Sequence, residues 1–102
     1  MAKYLLLYRS AQSAQDQMQQ NTPEEMEAEM KAWMAWGGKV GDRLVDFGDP
    51  AADTDGIGGS YIGGYSIVSA GTSEELAEIL DGHPHLAFGT IQAIELLPVP
   101  SM

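Results

Sequence analysis

The stretch AKYLLLYR, residues 2–9, constrains the chain more than any other segment. In an extended strand Tyr4, Leu6 and Tyr8 project to one side and Leu5 and Leu7 to the other, so both faces are apolar. A strand of that kind is covered on both sides in its fold. The rest of a 102-residue chain has to supply those covers.

Two helices are legible. In TPEEMEAEMKAWMAWGGKVG, Thr22 stands as N-cap, Pro23 at the first helical position and Glu25 at the third, the grammar of a capping box. Met26, Met30, Trp33, Gly37 and Val40 share one stripe, with Met34 and Trp36 flanking, and the stripe reads as core packing against a sheet. GTSEELAEILDG repeats the pattern, with Thr72 as cap, Glu75 at N3, Leu76, Ile79 and Leu80 as the buried edge, and Gly82 as the stop. RLVDFGD, YSIVSA and TIQAIELLPV read as strands, the last ended by Pro98 and Pro100. The polar run SAQSAQDQMQQN and the Asp/Gly-rich DPAADTDGIGGSYIGG read as loops.

The order is β-α-β-β-α-β over residues 1–102 as a single domain, the α+β ferredoxin-like pattern of a four-stranded antiparallel sheet with two helices on one face. The helices cover one side of the first strand. A second copy packed sheet to sheet covers the other, so a homodimer is expected. In this topology the end of strand one (Tyr8, Arg9), residues 10–22, Asp46, Asp49 and the DGHPHL turn gather at one end of the sheet. Gly37, Gly38 and Arg43 go to the other.

That end holds both histidines of the chain. His83 follows a stopped helix, and Pro84 fixes the next φ. On the bland reading Pro84 opens a short turn through Phe88 and His83 precedes it as a cap-like residue. On the functional reading His83 is an acid/base group with a carboxylate neighbour, Asp46 or Asp81, beside a pocket whose ligand contacts come from Tyr8, Arg9 and His85. His85 otherwise serves packing or solvent contact. A metal held by His-x-His and a loop Asp is the competing chemistry, but no third ligand is evident, and no metal or cofactor is expected.

Other chemistries lack their motifs. Around DTDG an EF-hand frame would begin at Ala51 and end at Ile62, which cannot ligate calcium. The glycines at 56, 58, 59, 63 and 64 do not spell a dinucleotide fingerprint. With 15 acidic against 5 basic residues, net charge −10, the chain lacks the basic stripe that nucleic acid or an anionic membrane demands. The absence of cysteine excludes disulfides and thiolate chemistry. No basic segment leads into an apolar stretch at the start, so a cytoplasmic protein is expected.

The segments KYLLLYR, PEEMEAEMKAWMAWGGKVGDRLVDFGDP and GGYSIVSA…EELAEILDGHPHLAFGTIQAIELLPVP resemble the YCII-related family of small dimeric α/β-barrel proteins across nearly the whole chain. The resemblance implies that the sheets of two subunits close into a barrel. It also implies, for one branch, a His on the first helix paired with an Asp in an Asp-Pro turn after the second. Here the turn reads His83-Pro84 and the first helix has no histidine, so that pair is not carried over. Two functions follow as expectations: acid/base chemistry on a small organic substrate in a pocket carrying His83, or a non-catalytic dimeric binding or regulatory module.

Overall fold

The computed structural model describes residues 2–99, with the backbone alone at 14 and 15; Pro100, expected to help end the last strand, lies outside them. The elements are β1 (Ala2–Ser10), α1 (Ala14–Gln20), α2 (Pro23–Val40), β2 (Leu44–Asp46), β3 (Tyr61–Ala70), α3 (Ser73–Leu80) and β4 (Thr90–Leu96). The strands form one antiparallel sheet in the order β2-β3-β1-β4. This α+β arrangement is compatible with a ferredoxin-like fold.

Both expected caps are in place. Thr22 Oγ1 accepts from Glu25 N at 3.2 Å, and Thr72 Oγ1 from Glu75 N at 3.1 Å. Gly82, at φ 69°, ends the turn after α3.

Residues 14–20, expected as loop, instead form α1. Ser13 caps it, its Oγ accepting from Asp16 N at 3.2 Å. Gln17 Nε2 donates to Ser10 Oγ at 3.0 Å, and Asn21 Nδ2 donates to Glu29 Oε1 at 3.1 Å, so the short helix is anchored at both ends.

The core lies between the helices and one sheet face. Leu6 and Tyr8 of β1, Val68 and Ala70 of β3, Trp36 and Val40 of α2 and Ile79 of α3 are buried together. Trp36 Nε1 donates to the Ile79 carbonyl at 2.8 Å, which joins α2 to α3 and satisfies a buried donor. A Cβ at Gly37 would lie 2.9 Å from the Phe47 ring, so glycine lets the strand-two region close on α2.

The opposite face alternates as a pleat requires. Leu5 pairs with Ile67 on one side and Ile94 on the other, and Leu7 pairs with Tyr65 and Gln92. These side chains are half-buried or exposed, leaving an apolar surface without a cover in the single chain. No helix among the described residues is long and apolar enough to cross a membrane.

Candidate ligand-binding cleft at the end of the sheet

At the end of β1 a cleft of about 400 Å³ opens between α2 and the sheet. Met26, Met30 and Trp33 of α2 and Met18 of α1 form one side, and Phe47, Asp49 and the 63–65 stretch of β3 lie across from them; Tyr8, His85 and Phe88 complete the wall. Met26 and Met30, expected in the core, are in fact 42% and 65% exposed and border this space. The wall across from α2 includes Gly48, Gly63 and Gly64, which have no side chains to fill the gap. The backbone there tolerates nothing larger, since a Cβ at Gly48 would overlap the Tyr65 carbonyl.

His83 does not border the cleft. It is 2% exposed, its ring centroid 4.3 Å from that of Trp36 and 4.7 Å from that of Trp33. Its Nδ1 accepts from His85 N at 3.0 Å, the cap expected of a residue before Pro84. Because a backbone N–H can only donate, the neutral ring carries its proton on Nε2. That proton points the next bond outward: Nε2 lies 3.2 Å from Tyr8 Oη, Tyr8 donates to Ser66 Oγ at 2.7 Å, and Ser66 donates to the Phe47 carbonyl at 2.6 Å. Both ends of the chain are fixed, so every hydroxyl and ring nitrogen in it has one role.

The consequence for acid/base chemistry is direct. Burial, then the neighbouring His85, lowers the His83 pKa from 6.5 to about 4, so the ring is neutral at physiological pH. Burial pushes the Tyr8 hydroxyl up to about 12 against a smaller opposing effect of Ser66. The carboxylate expected beside His83 is absent from its surroundings. Asp46 pairs with Ile67 on the uncovered sheet face, and its Oδ1 accepts from Gly48 N at 2.9 Å. Asp81 is exposed at the end of α3. The assignment of His83 as the proton-transfer group, with Asp46 as its partner, is therefore corrected: His83 is a buried structural link.

His85 takes the position expected of its neighbour. It borders the cleft, and its Nε2 donates to the Arg9 carbonyl at 2.9 Å in the neutral form. Nδ1 is then an acceptor. It has no hydrogen-bond partner, and no buried side-chain nitrogen or oxygen among the described residues is left unsatisfied, so Nδ1 is open to solvent. The close seat on β1 depends on Gly89, where a Cβ would overlap the Arg9 carbonyl and lie 3.0 Å from His85 Nε2.

Of the other expected contacts, Tyr8 borders the cleft, while the Arg9 side chain does not and donates through Nε to Gln92 Oε1 at 2.8 Å. Arg9 contributes its carbonyl alone. With both His83 ring nitrogens engaged, the His-x-His motif offers no pair of free ligands, and no group of three or more His, Asp or Glu poised for a metal occurs among the described residues. Sequence reading missed Met18 and Glu29; the Ser13-to-Asp16 spacing, a capping pattern, was the signal that would have put Met18 on a helix.

In comparisons with known proteins the chain matches no family model, no curated protein and no solved structure.

Proposed function

We propose that this protein binds a small, largely apolar organic molecule in the cleft at the end of the sheet, with His85 as the group that exchanges a proton with it. One observation carries the reading: His85, whose Nε2 is tied to a backbone carbonyl and whose Nδ1 has no partner in the protein, borders a space lined largely by aromatic and methionine side chains. A fixed tautomer with one free lone pair is the arrangement a general base needs. The resemblance to the YCII-related family, which carries no catalytic pair over to this chain, supports a dimer. The apolar face built on Leu5, Ile67 and Ile94 suits a second copy of the chain, sheet to sheet.

A second reading, a non-catalytic binding or regulatory module, is favoured by one feature. Neither imidazole is paired with a carboxylate that would stabilise its protonated form. A fragment screen followed by amide NMR tests the binding reading. Perturbations should cluster on Trp33, Phe47, Tyr65 and His85. Hits that bind elsewhere, or no hits, would remove it. Turnover of any hit that is lost in His85→Ala would then select the enzyme over the module.

A further inference from the structure

The polar groups of the cleft are one-sided. Its side-chain donors are largely engaged within the protein: Tyr8 donates to Ser66, Ser10 to the Gln12 carbonyl, Gln17 to Ser10 and Asn21 to Glu29. The carboxylate that borders the cleft keeps spare acceptor capacity: Glu29 takes one bond from Asn21 and has further lone pairs. His85 borders it too, with Nδ1 unpartnered in the protein. No lysine or arginine borders the cleft among the described residues. Lys31 is on the outer side of α2 beside Glu27, Lys39 donates to the Asp81 carbonyl, and Arg43 lies against Glu75 and Glu78.

Acidic charge dominates the neighbouring uncovered sheet face as well. Asp46, and after it Asp49, hold the Tyr65 hydroxyl above its ordinary pKa. An anionic ligand would meet the Glu29 carboxylate and no cation to pair with, while the whole chain carries a net charge of −10. The aromatic rings of Trp33, Phe47 and Phe88 meanwhile offer faces of negative quadrupole, which attract a cation and pack an apolar body.

We infer that the ligand of this cleft is an organic ammonium: an apolar, ring-sized body carrying a protonated amine, with the ammonium held by Glu29 and His85 Nδ1 and the body laid against Trp33 and Phe47. This rests on the cleft being the binding site. It narrows the ligand from any small apolar molecule to one charge class and excludes carboxylic acids of the same shape.

The test uses three probes of one shape, 2-phenylethylamine, 2-phenylethanol and 3-phenylpropionate, titrated by NMR into the intact protein at neutral pH. The amine should bind on the order of tenfold more tightly than the alcohol, and the acid least. In Glu29→Gln the ratio of amine to alcohol affinity should fall toward one. Alcohol or acid binding as tightly as the amine overturns the inference while the cleft stands as a site. An amine preference that survives Glu29→Gln overturns it too. If all three probes fail to bind, the cleft reading falls with it.

Discussion

Nε2 of His83 lies 3.2 Å from Oη of Tyr8, and the proton between them belongs to the histidine. The His85 amide fixes that direction at one end and the Phe47 carbonyl fixes it at the other. A histidine that reaches a cleft-lining tyrosine from behind resembles a catalytic pair. Its hydrogen-bond sense makes it a brace instead, tying the turn after α3 to β1, β3 and the loop after β2.

Stability should therefore depend on pH through His83. Its folded pKa of about 4 is below the ordinary 6.5, so above roughly pH 7 the ring is neutral in both states and its contribution is fully present. As pH falls from 6.5 toward 4, the unfolded chain takes a proton that the native one refuses, and up to roughly 3 kcal/mol is lost. Urea midpoints of the wild type and His83→Gln, compared across that range, check it. The difference between them should change with pH; a constant difference would contradict the buried neutral ring.

Tyr8→Phe should cost roughly 1–3 kcal/mol, because the buried Nε2–H of His83 loses its acceptor and Ser66 loses a donor while the ring packing is kept. Chemical denaturation measures it. A loss below about 0.5 kcal/mol would mean water replaces the hydroxyl.

Thr22→Ala should cost about 1 kcal/mol, since Glu25 N loses its acceptor at the start of α2. Because Met26 and Met30 follow directly, fraying there should also weaken ligand binding in the cleft. An unchanged urea midpoint would show that the cap carries little.

The apolar sheet face should be an interface between two copies. Light scattering at low micromolar concentration should give twice the 10.9 kDa chain mass, and Leu5→Glu should return it to the monomer value. A wild type that is monomeric there would leave the face to some other partner.

Much of this fold could be read before any coordinates. The four strands, the two longer helices and their caps follow from local patterns: Thr22 and Thr72 with a glutamate three residues on, Gly82 after Leu80, and apolar alternation in β1. The end of the sheet that carries the cleft follows from topology alone. Which histidine faces it does not. Burial of His83 is set by Trp33 and Trp36 closing over it, and exposure of His85 by the one-turn 3-10 segment that Gly89 permits against Arg9. Spacing two residues apart carries no information on either. Met26 and Met30 escaped for a similar reason. A helical stripe shows which residues share a side, but not that glycines across from them leave the space unfilled.

The central claim is that His85, and not His83, meets the ligand. Imidazole ¹⁵N NMR on the intact protein measures it most directly, with 2-phenylethylamine as the probe. Ligand should shift Nδ1 of His85, while His83 keeps its proton on Nε2 and its resonances stay in place from about pH 8 down to about pH 5. A ligand-induced change at His83 with His85 unmoved would contradict the account.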